Sequence, residues 1–409
     1  MVNAVPMRYC ACIHGPALGG PCVPRRRLTN QILMDLSMNQ RLQTSTRTFF
    51  GLGLAVLSIY LFFANLSFFF DALGWFDSGI LHVTDLVALA AAVTVGVLGA
   101  LRVGLPLAKQ PSVEKIELIA ETLVRYCLGF ILPIYGATKI LNVQFRLPFA
   151  ALDTLLGQAS GYALTWRFSG YSYTYELFLG LGEFVGAVLL FFRRTTTLGA
   201  CVLLAIVANV ALLNFTHDLP VKFKSTCYLV MVCYLIGLDS PRLSALFLEN
   251  KAFGPRPTPE RLLSPRVRNV SGFLKAGYIL FAVVYAFVYI LIADSKPSAV
   301  CGSWTVTRTE FLDGKAGGAQ PPALPWQKIF FEREIRGVFV GSVKELDGRK
   351  RKRFCYDVSP HDRHLALRFN EPLSGPPFSG SYQFLDDQTL KLAGNLGEHG
   401  VEILLAKQK

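Results

Sequence analysis

Seven long apolar stretches constrain this chain more than any other feature of its sequence. A helix needs about 20 mostly apolar residues to cross the hydrocarbon core of a bilayer. The stretches run from Phe49 to Phe70, Val83 to Leu101, Ile116 to Leu141, Tyr173 to Phe192, Thr197 to Phe215, Thr226 to Leu238 and Gly272 to Ile292. They predict a mainly α-helical membrane protein with about seven transmembrane helices, although the sixth stretch is short and the second contains Asp85.

The composition agrees with a lipid bilayer as the principal partner. Hydrophobic residues make up 52% of the chain and charged residues 17%, whereas a soluble domain has about 25% charged residues. The net charge of +13 is of the kind that accompanies phosphate binding. Most of the lysines and arginines nevertheless flank apolar stretches, where such residues set the orientation of helices. The sequence therefore predicts no nucleic-acid partner.

The distribution of positive charge predicts the orientation of the spans. Counted from Met34, fourteen lysines and arginines fall in segments on the N-terminal side of the membrane, and five fall on the opposite side. Positively charged loops remain in the cytoplasm. We expect a multi-pass protein of the cell membrane with a cytoplasmic N-terminus, and an odd number of spans then places the C-terminal domain outside the cytoplasm.

Changes in composition along the chain predict its domains. They are a disordered segment over 1–48, two transmembrane helices over 49–107, a four-helix membrane bundle over 115–240, a basic, proline-rich cytoplasmic linker over 241–271, a last transmembrane helix over 272–293 and a soluble β domain over 297–409. Met34 and Met38 come shortly before the first apolar stretch, so a start at Met34 is one expectation. Residues 241–253 are expected to lie along the membrane as a short amphipathic segment.

From Pro297 onward the apolar period changes to two, which is typical of strands. Eight short segments show it: WTVTRT, QKIFFE, GVFVGSV, RKRFCYDV, HLALRF, SYQFL, TLKLA and VEILLAK. Short strands separated by turn residues favour a barrel or a sandwich, and eight strands suffice for a small barrel. Gly302, Ser303 and Trp304 resemble the G-x-W motif of lipocalins, while a tryptophan that plugs the barrel floor is the alternative interpretation.

Ionisable groups inside predicted spans are candidates for function, because they are costly to bury in lipid. The third span contains Arg125, Tyr135 and Lys139. Arg125 lies one turn from Glu121, so a pair within the helix is an equally good explanation for its presence. Tyr135 and Lys139 are again one turn apart, closer to the outer end of the span.

The fourth span contains Glu176 and Glu183, which are seven residues apart and therefore share a helix face. Gly182 and Gly186 form a small-xxx-small pair that allows close approach of another helix. We expect the face of Glu183 to point into the bundle, with its carboxyl group protonated or paired. A packing helix with one neutral glutamic acid is the alternative.

A polar turn follows the fifth span. Helix parity places this turn, the end of the third span, the start of the fourth span and the β domain on one side of the membrane. The predicted outer-face site combines Tyr135, Lys139, Glu176, Asn214, His217, Asp218 and Lys222, with Arg125 and Glu183 as further candidates within the membrane.

Cysteine and histidine spacing predicts no metal site. No pair of cysteines has the spacing of a zinc site, and His361 and His364 lie in a turn-like segment. Cys301 and Cys355 fall on or beside predicted strands. A disulfide between them in an oxidising compartment and two reduced, buried thiols are both consistent with the sequence.

Three segments together resemble the DoxX-like membrane proteins. They are YGATKI followed by QF, then ELFLGLGEFVGAVLLFFRRTTTLGA, then NVALLNFTHDLPVKFKS. The resemblance covers about residues 117–247 and implies a four-helix membrane bundle. Some members of that family are associated with quinone-linked oxidation of sulfur compounds. The positions at which this chain looks like the family are Tyr135, Gly136, Lys139, Glu176, Gly182, Glu183, Asn214, Asp218 and Lys222.

Three classes of function are consistent with these residues, and the sequence does not decide whether the protein is an enzyme. The first is binding or transport of a lipophilic ligand, or anchoring of a partner, with the β domain as a receiving surface. The second is a membrane redox component that acts on a quinone or another lipophilic substrate. The third is a purely structural subunit. A quinone is the one cofactor that the resemblance implies, and no haem or iron–sulfur ligand set is evident.

Overall fold

A computed structural model describes residues 25–72, 81–104, 113–252, 265–293, 296–312, 324–335, 338–346, 351–369 and 376–408. Within these residues the helices are α1 Arg25–Ala72, α2 Leu81–Gly104, α3 Val113–Ile140, α4 Phe149–Leu152, α5 Gly161–Tyr171, α6 Tyr173–Leu190, α7 Thr196–Thr216, α8 Lys222–Leu238, α9 Ser240–Phe247 and α10 Pro265–Ala293. The strands are β1 Gly302–Phe311, β2 Trp326–Ile335, β3 Val338–Glu345, β4 Arg351–Ser359, β5 His364–Phe369, β6 Phe378–Asp386, β7 Thr389–Leu396 and β8 His399–Lys407.

The helices confirm a multi-pass membrane protein. In the described part of the chain, six segments are long and apolar enough to cross a bilayer: Met38–Leu66, Thr84–Val103, Val113–Ile140, Tyr173–Leu190, Thr196–Thr216 and Gly272–Leu291. Helices α8 and α9, which meet at a bend of 67°, make a seventh if they are taken as one broken span. Large apolar side chains remain exposed on these helices, as lipid contact requires; Phe178 of α6 and Leu212 of α7 are examples.

The chain divides into two compact units, and the first comprises residues up to Tyr60, His82–Val124 and a short later segment. In this unit α1 and α2 pack closely through glycines. A β-carbon at Gly96 would lie 2.8 Å from the backbone oxygen of Phe49. The hydroxyl of Tyr60 donates to the carboxylate of Asp85, which gives the one acidic residue of the predicted second span a hydrogen-bond partner.

The second unit contains Leu61–Leu81, Arg125–Gly254 and Ser264–Lys409. Helices α3, α6, α7 and α8 pack together in it, and the C-terminal part of α1 and helix α10 pack against them. Phe62 of α1 lies with its ring 4.8 Å from that of Phe130 in α3, and the hydroxyl of Tyr278 in α10 donates to the backbone oxygen of Tyr126. The two helices predicted over 49–107 are present as α1 and α2, and the last part of α1 packs against the bundle.

The β domain is a closed barrel in which each strand pairs antiparallel with its neighbours in sequence and β8 pairs with β1. The barrel, rather than the sandwich, is thus the correct alternative. Its interior is filled by large apolar side chains, among them Trp304, Trp326, Phe331, Phe354, Tyr356, Phe378 and Leu405. Trp304 is 1% exposed, and its indole N–H donates to the backbone oxygen of Val300 at 2.9 Å.

The barrel contacts the connection between α3 and α6, where α4 packs against β1 and β2. Two points of a chain that meet on one side of a bilayer are separated by an even number of crossings. Helices α6, α7 and α10 provide three crossings between this connection and the barrel. The bent pair of α8 and α9 supplies a fourth if it is taken as one span, so this contact agrees with seven rather than six spans in the described residues.

Three predicted boundaries differ from the structure. Helix α1 begins at Arg25, so the disordered segment predicted over 1–48 is wrong from residue 25, and residues 1–24 lie outside the described part. The predicted linker over 241–271 contains α9, and α10 begins at Pro265. A helix of 48 residues, as α1 is, extends well beyond the apolar stretch that marks the span, which explains why hydropathy alone placed its start too late.

Candidate functional site

An ion pair is buried between α3 and α6. The ammonium nitrogen of Lys139 lies 2.6 Å from the Oε2 atom of Glu183, and each residue is 3% exposed. The helices approach closely because glycines face each other: a β-carbon at Gly180 would lie 2.7 Å from the backbone oxygen of Gly136. The short separation lets Lys139 reach across to α6, and burial excludes the water that would otherwise weaken the attraction.

A hydrogen-bonded network continues from the ion pair into the bundle. Lys139 contacts the backbone oxygen of Tyr135 at 3.5 Å. The Tyr135 hydroxyl donates to the Oδ1 atom of Asn65 at 3.4 Å, and the Nδ2 atom of Asn65 donates to the Tyr228 hydroxyl at 3.2 Å. The Tyr285 hydroxyl donates to the backbone oxygen of Asn65 at 2.8 Å. Asn65 thus joins polar groups from α1, α3, α8 and α10.

The ion pair lines a cavity of about 110 Å³ inside the bundle. Its polar lining is Tyr135, Lys139, Gln144, Thr165, Ser169, Glu183, Asn214, Lys224, Ser225 and Tyr228, and its apolar lining includes Leu132, Leu179, Val207, Val210, Leu213 and Leu219. A cavity lined by apolar side chains with a few converging polar groups is typical of small-molecule sites. Its volume is below the range of about 300–1,000 Å³ of sites that enclose a drug-sized ligand.

A larger groove lies beside this cavity. It has a volume of about 770 Å³ and runs along α5, with walls from Leu156, Leu164, Phe168, Tyr171, Tyr175 and His217. Thr165 and Leu213 line both the cavity and the groove. Tyr171 is 92% exposed and Phe168 61% exposed, so the groove presents aromatic surface to its surroundings. The two spaces share part of their lining. Lys139, Glu183 and Lys224 line the cavity, and the groove is mainly apolar but includes Arg167.

Three residues of the predicted outer-face site line the cavity: Tyr135, Lys139 and Asn214. Glu183, which was predicted as a candidate within the membrane, lines it as well. The small-xxx-small prediction is confirmed, since Gly182 contacts Ile206 and Gly186 contacts Leu203, both of α7. Glu183 is paired with Lys139, as expected for a carboxyl group that is either protonated or paired.

Glu176 is fully buried in the first turn of α6. Neither of its carboxylate oxygens accepts a hydrogen bond within the described part of the chain. Lys139, Arg146 and the backbone of Phe145 belong to its electrostatic surroundings. Phe145 lines the cavity, whereas Glu176 does not.

The remaining predicted residues lie elsewhere, which corrects the single cluster expected from parity. Asp218 and Lys222 form their own ion pair in an exposed turn. His217 lines the groove, and its Nδ1 atom is 2.9 Å from the Thr216 hydroxyl. Arg125 donates from Nε to the backbone oxygen of Leu190 at 2.8 Å, at the end of α6 opposite Glu176. Parity places residues on a side of the membrane, but it does not place them in contact.

Two carboxylates join the barrel to α4: one belongs to the barrel, and the other follows α4. Glu332 of β2 accepts from the backbone N–H groups of Phe149 and Ala150, both at 2.8 Å. Asp153, which follows α4, lies 2.6 Å from the ammonium of Lys328 and 2.8 Å from that of Lys344. A third cation of the barrel, Arg351, contacts Asp153 at 3.3 Å. These contacts fix the connection whose later part, α5, lines the cavity.

Burial and charge act differently on these two carboxyl groups. For Asp153 burial acts to raise the pKa, but the hydrogen bonds and charges of Lys328 and Lys344 outweigh it and hold the pKa below its ordinary value. For Glu332 burial outweighs the two backbone N–H donors, so its pKa is raised. Asp153 is therefore the firmly ionised partner of the contact.

The cysteines form no disulfide in the described residues. Cys301 and Cys355 are both free thiols and are half-buried, so the structure contains neither a disulfide between them nor a pair of fully buried thiols. Burial raises the pKa of the Cys301 thiol, which lowers its reactivity. No group of three or more histidine, cysteine, aspartate or glutamate side chains is arranged to hold a metal ion in the part of the chain that the structure describes.

Sequence reasoning missed Asn65, Tyr228, Lys224 and the contacts of the barrel with α4. Asn65 carried a signal, because an asparagine inside an apolar span needs hydrogen-bond partners from neighbouring helices. Tyr228 carried none, since a tyrosine in a span is as common at interfaces as inside bundles. The contacts of Asp153 with the barrel join residues some 175 positions apart, and no local pattern predicts such a pairing.

Comparison with known proteins gives one informative relative. The sequence is 36% identical over 123 residues to the uncharacterized protein YwoB of Bacillus subtilis (strain 168), an alignment that covers 30% of this chain and 79% of that protein. No protein-family model matches the chain, and no solved structure matches it. On this identity and coverage, the chain belongs to the same family as the uncharacterized protein YwoB.

Proposed function

We propose that this membrane protein binds a lipophilic ligand with a small polar head, which enters the bundle cavity while its apolar tail lies in the adjoining groove. The observation that carries the proposal is that the cavity and the groove share two lining residues, Thr165 and Leu213. The cavity of about 110 Å³ accommodates a head but no large molecule, whereas the groove of about 770 Å³ accommodates a chain. An elongated amphiphile matches both.

The bundle is a better place for a ligand than the barrel. Side chains from every strand fill the barrel interior, and close packing leaves no room for a second molecule. The barrel instead contacts α4 and so supports the connection that contains α5. We infer that its role is to hold the mouth of the site in place. With the positive charge of the opposite loops, this supports an N-terminus in the cytoplasm and a barrel outside it.

A variant pair on α7 tests the ligand proposal. Leu213 lines both spaces, so Leu213→Trp is expected to fill their junction. Leu212 is 63% exposed, and Leu212→Trp is the matched control. Both variants and the wild type are purified in detergent, and the bound lipophilic molecules are extracted and identified by mass spectrometry. We expect retention in the wild type and in the control, and loss in Leu213→Trp. Equal retention in all three would refute the proposal.

A second candidate is redox chemistry on a quinone, which the resemblance to DoxX-like proteins suggests. The supporting observation is that proton-carrying groups share one cavity, because the ion pair of Lys139 and Glu183 and the side chains of Tyr135 and Tyr228 all line it. Such groups are able to deliver or remove protons as a quinone is reduced or oxidised. A quinone among the extracted molecules, together with quinol oxidation by the purified protein, favours this candidate over simple binding.

A further inference from the structure

We propose that the ligand of the bundle cavity is an anionic amphiphile, such as a long-chain carboxylate, whose head is held by Lys224 and Asn214. This inference rests on the proposed binding function and adds the charge of the ligand to it. It follows from two groups of the cavity lining, the ammonium of Lys224 and the Nδ2 atom of Asn214, that have no partner among the described residues.

The charges around the cavity do not balance. Three charged side chains line it, namely Lys139, Lys224 and Glu183. Lys139 and Glu183 neutralise each other at 2.6 Å. In the described residues no ion pair or side-chain hydrogen bond is formed by Lys224, so the lining carries one positive charge in excess. Lys224 is half-buried, and an apolar cavity lined by such an ammonium favours a ligand with one negative charge, because a carboxylate accepts the charge-assisted hydrogen bonds that the ammonium donates.

Asn214 points to the same kind of ligand. It is 3% exposed and lines the cavity, and its Nδ2 atom has no hydrogen-bond partner within the part of the chain described. A buried amide without a partner costs free energy, which a bound acceptor would recover. A carboxylate offers two acceptor oxygens and no donor when ionised. It therefore matches both the amide of Asn214 and the ammonium of Lys224.

The start of α8 adds to this preference. The helix begins at Lys222, and Val221, Lys224 and Ser225 all line the cavity. The first N–H groups of a helix have no partner within it, and the helix dipole favours negative charge at this end. The start of α8, the ammonium of Lys224 and the amide of Asn214 thus contribute to the lining of one cavity, whose other residues include the apolar Leu132 and Leu179.

The test compares two ligands of the same chain length that differ in charge. Binding of oleate and of oleyl alcohol to the purified full-length protein is measured by calorimetry in detergent. We expect Lys224→Gln to weaken oleate binding by about tenfold to a hundredfold, in keeping with loss of a charge-assisted hydrogen bond, and to leave oleyl alcohol unchanged. Lys222→Gln is the control, because Lys222 is paired with Asp218 in the exposed turn and does not line the cavity.

The outcomes separate this inference from the function on which it rests. Weaker binding of oleate in Lys224→Gln alone supports an anionic ligand. Equal affinity of the wild type for the two ligands, or an unchanged affinity of Lys224→Gln for oleate, overturns the inference and leaves the binding function standing. Failure of the wild type to bind either ligand counts against the binding function itself. The affinity for oleyl alcohol also reports whether each variant is folded.

Discussion

Replacing Lys139 with methionine removes one partner of the buried ion pair and leaves the carboxylate of Glu183 without a counter-charge. The two side chains are each 4% exposed, and their charged atoms lie 2.6 Å apart. Breaking a buried pair on one side costs about 3–5 kcal/mol, because the remaining charge is uncompensated. We therefore expect Lys139→Met to raise the ratio of unfolded to folded protein by more than about a hundredfold.

The double variant with methionine at both positions is expected to behave differently. Methionine is flexible and apolar, and its length is close to that of lysine and glutamate. Replacement of a whole buried pair by apolar residues is often neutral or stabilising. We therefore expect the double variant to lie within about 1 kcal/mol of the wild type or above it. The free energy of unfolding is measured by denaturant titration of the protein in detergent micelles, followed by tryptophan fluorescence.

The exposed pair of Lys222 and Asp218 supplies the control. Lys222→Met breaks an ion pair of the same kind in water, and such pairs contribute little to stability. An equal effect of Lys139→Met and Lys222→Met would show that Lys139 is not desolvated, which contradicts the burial of the site. A double variant as unstable as the single one would show that the penalty does not come from an unpaired charge.

Two further predictions concern the barrel. Asp153→Asn is expected to speed hydrogen exchange in α4. The pKa of Asp153 is lowered from an ordinary value of 3.8, so the contact is complete above that value. It is lost as pH falls through the lower pKa of the folded protein. Equal acid sensitivity of hydrogen exchange in the variant and the wild type would contradict this. In a background without other exposed cysteines, Ser381→Cys on the barrel is expected to react with an impermeant maleimide in intact cells. Ala252→Cys, after α9, is expected to react only after lysis, and the reverse pattern would invert the proposed orientation.

The sequence predicted the candidate groups more readily than their contacts. Lys139 and Glu183 were candidates because an ionisable group inside a span is costly, and Gly182 and Gly186 predicted that the Glu183 face points into the bundle. Which cation would meet Glu183 depended on the approach of α3 to α6 at Gly136, and no pattern in either helix specifies that register. His217 and Asp218 were grouped with the pair because parity alone was considered.

The same limit explains Asn65 and Lys224. Asn65 lies in the first predicted span, which precedes the predicted four-helix bundle, and only packing brings it to Tyr228 at 3.2 Å. Lys224 looked like an ordinary flanking lysine that anchors a span at the membrane surface. Its place on the cavity lining depends on the turn between α7 and α8, where the sequence offers no periodic signal.

Hydropathy and strand period alone determined that the chain has a helical membrane part and a β domain. Crossing a bilayer demands about 20 apolar residues, and a pleated strand alternates its side chains. These two patterns yielded the spans and the eight strands. Tertiary structure decided that β8 closes on β1, that the barrel interior is full, that Lys139 meets Glu183, and that the cavity carries one excess positive charge. Each of these depends on distances between residues far apart in the chain, and the local periods that mark helices and strands contain no such distances.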